Sequence, residues 1–387
     1  MSRRVRATIH LGALRSNLAR IRSLAPRSRV MAVVKADGYG HGLERTVRAL
    51  GDADAFGVAS IADGERIRAL GMPNRVVVLS GIDEAGDLAR MQALALEPVI
   101  HHDSQLELLQ REWPGLHGES QSSDRVRATP VHGPVSSQAV WIKLDSGMHR
   151  LGFESRRAGE VLATLRGLPG IGELQLMTHF ANSDVVSDPL TKTQMQRFEE
   201  VCAQANAGLE PASRLSRSLA NSAGILGFRA SHADWVRAGG LLYGISIVDG
   251  QCGTELGFEP AMTLTARLIA VNEIAVGERV GYGHAWTAAR ATRVGVLAVG
   301  YADGYPRSIR PDTPVLVRGM RVPIIGRVSM DLTTIDLTDL PDVQVGEEAV
   351  LWGRGLPVEE IGASAATIGY ELVCGMTRRV DFVEDDS

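Results

Sequence analysis

The chain has 387 residues, more than one core usually supports, so a large domain accompanied by a second one is expected. Its 41 basic and 45 acidic side chains nearly cancel, which argues against a nucleic-acid or membrane-surface partner and leaves a small molecule as the expected one. Three cysteines (Cys202, Cys252, Cys374) lie far apart with no Cys-x-x-Cys pair, so neither a disulfide framework nor a structural zinc site is expected, and a reducing compartment fits.

The basic N-terminus is followed by no apolar run long enough for a signal peptide or a membrane span, which makes a cytoplasmic protein the expectation. A short strand at 5–11 comes first. From Val30 onward, β-branched runs at 30–34, 55–59, 76–80, 98–101, 140–145, 173–179, 215–220 and 235–237 alternate with amphipathic helical stretches. Eight such units predict a closed (β/α)8 TIM-type barrel over residues 1–253, with chemistry at the C-terminal ends of its strands. Lys35, Asp145, His179, Asn221 and Arg237 fall at those ends.

Between residues 111 and 139 the chain is rich in Gly, Pro and Ser and shows no apolar period, as in a mobile surface loop. His117 and His132 lie within it without carboxylate or thiol company, so no metal site is assigned. After about Gly253 the texture changes to apolar runs at 261–269, 294–299, 314–317 and 321–325, separated by Gly and Pro turns. That pattern predicts a β-rich domain over 254–387, whose sheet the strand at 5–11 could join.

The most informative stretch is Val33-Val-Lys-Ala-Asp-Gly-Tyr-Gly-His-Gly42, an apolar strand that delivers Lys35 into a glycine-rich turn. A lysine in a half-buried setting needs a partner or a depressed pKa, the usual way for a lysine to become a Schiff-base nucleophile. The string resembles the cofactor-lysine signature of alanine racemases. Further matches follow in family order: Trp141-Ile-Lys-Leu-Asp-Ser-Gly-Met-His-Arg-Leu-Gly152, Thr178-His-Phe-Ala-Asn-Ser-Asp184, Leu219-Ala-Asn-Ser222, Trp235-Val-Arg-Ala-Gly239, Val280-Gly-Tyr-Gly283, Gly300-Tyr-Ala-Asp-Gly-Tyr-Pro-Arg307, Gly326-Arg-Val-Ser-Met-Asp331 and Thr367-Ile-Gly-Tyr-Glu371.

The resemblance implies an isomerase that interconverts L- and D-alanine on pyridoxal phosphate, for peptidoglycan supply or alanine catabolism. Racemisation needs an electron sink and one base on each face of the reacting carbon. By resemblance Lys35 carries the cofactor and is the base for the D enantiomer, while Tyr282 is the base for the L enantiomer. A free tyrosine costs about 4 kcal/mol to ionise at neutral pH, so cationic neighbours are required, and His179 and Arg237 are the expected source of positive potential.

Arg237 is also implied as the partner of the cofactor ring nitrogen, where it would hydrogen-bond without protonating it. Phosphate contacts are implied for Ser222, the Gly240 amide, Tyr39 and Tyr370. At position 240 the family usually carries isoleucine, so a looser loop is expected there. Arg150 resembles the arginine that holds the substrate carboxylate, Lys143 a lysine that many members carry as a carbamate, Met330 and Asp331 a substrate-binding pair, and Tyr301 with Tyr370 an aromatic constriction. A homodimer whose C-terminal domains supply Tyr282, Tyr301 and Met330 to the partner's barrel is further implied. The readings left beside this one are a racemase of serine or of a broader amino-acid set, a non-catalytic pyridoxal-phosphate carrier without the second domain, and a decarboxylase of the same barrel type.

Overall fold

A computed structural model describes residues 5–117, 137–210, 214–248 and 250–386. The chain forms two compact units, one of residues 18–38 and 46–239, the other of residues up to 17, 39–45 and 240 onward. The first strand, β1 (Val5–His10), belongs to the second unit.

The first unit is the barrel. Its strands are β2 (Arg29–Val33), β3 (Ala55–Val58), β4 (Arg75–Val78), β5 (Leu96–Ile100), β6 (Gln138–Asp145), the short β7 (Phe153–Glu154), β8 (Ile171–Met177), β9 (Ser216–Ser218) and β10 (Trp235–Ala238). Parallel pairing runs in the order β5, β4, β3, β2, β10, β9, β8, β6, and a further β5–β6 pairing closes the ring. The eight predicted strands are therefore the eight staves, with β7 added beside β6.

Alternation along each strand stacks the barrel interior in layers. The middle layer is apolar: Met31, Ala55, Val77, Val99, Trp141, Met177 and Trp235 form one buried cluster. One inward position earlier the layer turns polar. Arg75 grips both oxygens of buried Glu97 at 2.6 and 2.9 Å, and the Trp141 indole donates to the same carboxylate at 2.7 Å. One inward position later come His101, Lys143, His179 and Arg237, each two residues beyond a member of the apolar layer, and Lys35 lies four beyond Met31.

The stretch from residue 111 to 139 needs correction. The helix Asp103–His117 runs through its first part, and Trp113 is fully buried with its indole donating to the Pro169 carbonyl at 2.8 Å. Gly and Pro near the helix end had masked an amphipathic pattern anchored by that tryptophan. The remainder, including His132, lies outside the described residues.

The second unit is built on a sheet in the order β16 (Met320–Pro323), β15 (Pro314–Val317), β18 (Glu348–Trp352), β11 (Met262–Ile274), β1, β19 (Asp381–Asp385). On β11 it adds β14 (Thr292–Leu297), which also pairs β17 (Thr333–Asp336). A two-strand ribbon of β12 (Arg279–Val280) and β13 (Trp286–Thr287) stands separately. β1 lies between β11, antiparallel, and β19, parallel. Residues after the barrel are tied to this unit, since Ser246 and Gly253 both donate their N–H to Glu359 Oε1 at 2.8 Å. Two short helices that the sequence reading lacked, Val358–Ser364 and Gly369–Cys374, carry Glu359 and Tyr370. Their apolar content is too brief to show a helical period.

Candidate active site

The barrel unit gathers the imidazoles of His101 and His179 and four basic side chains, Lys35, Lys143, Arg150 and Arg237, at the C-terminal ends of its strands. Arg237, on β10, is buried, and its guanidinium donates to the Ser218 carbonyl at 3.0 Å, the Ser218 hydroxyl at 2.8 Å, the Thr178 carbonyl at 2.6 Å and the Leu219 carbonyl at 3.3 Å. Its second terminal nitrogen also lies 3.4 Å from His179 Nδ1. None of these partners is a carboxylate. Burial lowers its pKa to about 10, which still leaves a full cation at neutral pH.

Lys143, on β6, is buried too. Burial, followed by the charges of Arg237, Arg150 and Lys35, lowers its pKa to about 8, with Asp145 opposing. An amine in that range carries a substantial neutral, nucleophilic fraction. Asp145 closes β6 and is occupied locally: Oδ1 accepts the N–H groups of Gly147, Met148 and His149 at 2.9–3.1 Å, and Oδ2 pairs with the His149 ring at 3.0 Å. Burial pushes this carboxyl upward, but those donors outweigh it and hold the group below its ordinary value. The turn they build leads to Arg150, which is exposed.

His179 departs from expectation. Burial, then Arg237, Lys143, Arg150 and Lys35, drive its pKa well below the ordinary value. The imidazole is therefore neutral at physiological pH. It supplies no positive charge, and the positive potential of this rim comes from Arg237 with the lysines and Arg150.

Lys35 follows β2 by two residues, is exposed, and opens a left-handed turn: φ is +53° at Ala36, +54° at Asp37, +63° at Gly38, +51° at Tyr39 and +75° at Gly40. The Gly38 N–H returns to the Val34 carbonyl at 2.9 Å. Left-handed backbone costs an L-residue roughly 1–2 kcal/mol. Strain of this kind persists where the surroundings over-determine it, as at functional sites. Ser222 is not the cap of the helix Ser222–Gly227; Asn221 is, through the Gly224 N–H, and the Ser222 hydroxyl instead accepts the Gly239 N–H at 3.0 Å.

In the second unit Tyr39, Tyr243 and Tyr370 form an aromatic group. Tyr39 stacks on Tyr243 at 4.8 Å between centroids and meets Tyr370 edge-on at 5.5 Å. Burial, with a smaller contribution from Cys374, raises the Tyr39 phenol to about 12, so it stays a hydrogen-bond donor. Gly240 opens a fully buried turn, Gly240–Tyr243. A β-carbon at 240 would meet the Tyr370 hydroxyl at 2.0 Å and its ring at 2.2 Å. The loop is thus not loosened as expected, because the tyrosine fills the space that a side chain at 240 would take.

Tyr282 sits on the turn Tyr282–His284 between β12 and β13 and is 69% exposed. Tyr301 and Met330 are also exposed, and their segments are bonded together, Tyr301 N–H to Ser329 carbonyl at 3.1 Å and Ala302 N–H to Met330 carbonyl at 3.0 Å. Arg379 spans the pair, reaching Asp331 at 2.5 Å and buried Asp303 at 3.1 Å. Sequence reasoning passed over Arg379, Asp303 and His101. For His101 a signal existed in the continued alternation from Val99.

Residues 9–247 match the family model "Alanine racemase, N-terminal domain" and residues 261–384 match "Alanine racemase, C-terminal domain". The chain belongs to the alanine racemase family. Curated alanine racemases of Shewanella amazonensis and Shewanella baltica are each 45% identical to it, over 97% of this chain and 97% of theirs. Among solved structures, the biosynthetic alanine racemase of Pseudomonas aeruginosa superposes with a TM-score of 0.87 at 42% identity, covering 99% of both chains. That of Acinetobacter baumannii gives 0.87 at 34% identity, covering 99% of this chain and 100% of that one. The alanine racemase of Bartonella henselae, 24% identical with a TM-score of 0.82 over 98% of this chain and 99% of its own, was solved with covalently bound pyridoxal phosphate. Like the rest of the alanine racemase family, this chain is an isomerase. Among the described residues no helix is long and apolar enough to cross a membrane, and no cluster of side chains could hold a metal ion.

Proposed function

We propose that this enzyme interconverts L- and D-alanine with pyridoxal phosphate, using Lys35 and Tyr282 as opposing bases. The observation that carries the proposal is the set of cations at the barrel rim, Lys35, Lys143, Arg150 and Arg237, around a neutral His179, with no carboxylate among the described residues pairing Arg237. Such a site suits an anionic cofactor and a carboxylate substrate. The space at Gly240 filled by Tyr370 fits a phosphate pocket in which a main-chain N–H and a phenol converge.

When bound, the cofactor supplies the electron sink that makes the substrate's α-proton acidic. Lys35 would hold it through Nζ, Arg237 would donate to its ring nitrogen, His179 would pack against it, and Ser222, the Gly240 amide, Tyr39 and Tyr370 would hold its phosphate. Arg237 keeps its proton at neutral pH, so it would hydrogen-bond the cofactor's ring nitrogen without protonating it, and side reactions that need a stronger sink would be disfavoured. Arg150 would bind the substrate carboxylate by a planar fork of donors, with the Met330 N–H and Asp331 as further substrate contacts. Lys35 Nζ would take the α-proton from D-alanine while Tyr282 Oη delivers one to the opposite face, and for L-alanine Tyr282 would take the proton and Lys35 deliver one.

Lys143, lowered to about 8, is suited to accept carbon dioxide as a carbamate, which would turn a cation beside Arg150 into an anion that braces it. Tyr282, Tyr301 and Met330 are 69%, 41% and 53% exposed, which fits a homodimer in which they serve the partner's barrel. A cytoplasmic location agrees with three free cysteines. The test is reduction of the purified holoenzyme with borohydride, peptide mapping, and an alanine inversion assay. The label belongs on Lys35 with turnover of both enantiomers; a label on another lysine, or serine turned over faster than alanine, counts against the proposal.

A further inference from the structure

His101 stands one residue past β5, and the register Val99 with Trp141 and Ile100 with Ile142 carries on to set it across from Lys143. Val99 and Trp141 both face the barrel interior, so by alternation His101 and Lys143 face it too, as neighbours on adjacent strands. The two feel each other, since the Lys143 charge is among the influences on the imidazole.

The imidazole is fixed at one end. Nε2 lies 2.8 Å from the Ser80 carbonyl, an acceptor, so that nitrogen carries a hydrogen. The Gln105 amide, 3.3 Å away, is itself engaged with the Ser80 and Ile82 carbonyls at 3.0 Å and holds the ring from the side. The other nitrogen, Nδ1, is buried and makes no well-formed hydrogen bond among the described residues; the nearest polar influence on it is the main chain of His101 itself, too strained a contact to satisfy it. A buried polar atom left unpaired costs about 1–3 kcal/mol, so its retention in a rigid frame calls for an occupant.

Lys143 in its unmodified form does not reach Nδ1 with a hydrogen bond. A carbamate extends the side chain by two further bonds and ends in two acceptor oxygens. We propose that His101 is the proton acceptor and hydrogen-bond partner for a carbamate on Lys143, a role that rests on the reading of Lys143 given above. In the reaction the neutral Nζ attacks the carbon of carbon dioxide; an N–C bond forms as one C–O π pair moves onto oxygen, and the proton released from nitrogen passes to Nδ1. The product pairs a carbamate anion with an imidazolium whose Nδ1–H donates to it, while Nε2–H keeps Ser80. Modification also reverses the field on the ring, because a neighbouring cation that disfavoured protonation becomes an anion that favours it. His101 is thereby a positioning residue for Arg150, acting through Lys143.

The experiment uses the full-length holoenzyme with 13C-bicarbonate, following the carbamate carbon and the His101 ring nitrogens by NMR. In the unsubstituted enzyme, bicarbonate should produce a carbamate signal together with protonation of Nδ1, and both should vanish in Lys143→Met. His101→Leu should need at least tenfold more bicarbonate for half modification, and His101→Asn, which restores a donor, should recover part of the difference. A carbamate that forms with unchanged bicarbonate dependence in His101→Leu, or without any change at Nδ1, overturns the role of His101 while leaving the reading of Lys143 intact. Absence of a carbamate from the unsubstituted enzyme at saturating bicarbonate overturns both. The Nδ1 measurement needs no substitution, so a misfolded variant does not block the test.

Discussion

The hydroxyl of Tyr370 occupies the space that a β-carbon on residue 240 would need, 2.0 Å from where that carbon would lie. Ring atoms at 2.2 and 2.3 Å move with it, so relief requires the whole side chain to swing, together with its edge contact on Tyr39. Gly240→Ala should therefore weaken pyridoxal phosphate binding at least tenfold and destabilise the protein by about 2 kcal/mol. Cofactor titration by absorbance and a thermal melt without added cofactor measure the two effects separately.

Lys143 makes stability rise with pH in an unusual window. Its folded pKa is about 8 against an ordinary 10.5, so between those values the unfolded chain keeps a proton that the folded one has released. Stability is lowest while both states are protonated, below about pH 8, and it climbs as the pH approaches 10.5. The difference is on the order of 3 kcal/mol. Denaturant melts in bicarbonate-free buffer should show that rise, and Lys143→Met should flatten it.

Arg237 holds the neighbouring bases down. Burial comes first for His179, and the guanidinium is the next largest cause; for Lys143 it also ranks directly after burial. Arg237→Gln should raise both pKa values toward their ordinary ranges, read by NMR titration of the His179 ring and of labelled lysine. A His179 titration that stays put would show burial acting alone.

The left-handed turn after Lys35 offers a stability test. Ala36 is exposed at φ +53°, where glycine fits without a steric penalty. Ala36→Gly should stabilise the protein by about 0.5–1 kcal/mol, strain relief exceeding the added freedom of the unfolded chain. The gain would appear in the melt. A loss would mean that the turn is not left-handed in solution.

Much of this arrangement can be read from the chain because strand alternation does the placing. Each barrel stave announces itself as a β-branched run, and counting two residues on from Trp141, Met177 and Trp235 reaches Lys143, His179 and Arg237. What stayed hidden depends on partners distant in sequence. Whether His179 carries charge is decided by burial and by four cations from other segments, so its residue type gives no hint. Gly240 looked like slackness because Tyr370, which fills its side-chain space, comes 130 residues later. The helix Asp103–His117 was obscured by local Pro and Gly, since its evidence is the burial of Trp113 against Pro169. His101 was passed over although the predicted run at 98–101 ends on it, because its neighbour Lys143 lies on a strand distant in sequence.

Everything turns on two bases working from opposite faces, and deuterium at the α-carbon of alanine reports on each separately. In Tyr282→Phe holoenzyme, Lys35 should still wash deuterium out of D-alanine while L-alanine keeps its label and net inversion is lost. Equal loss of label from both enantiomers in that variant would contradict the assignment of Tyr282.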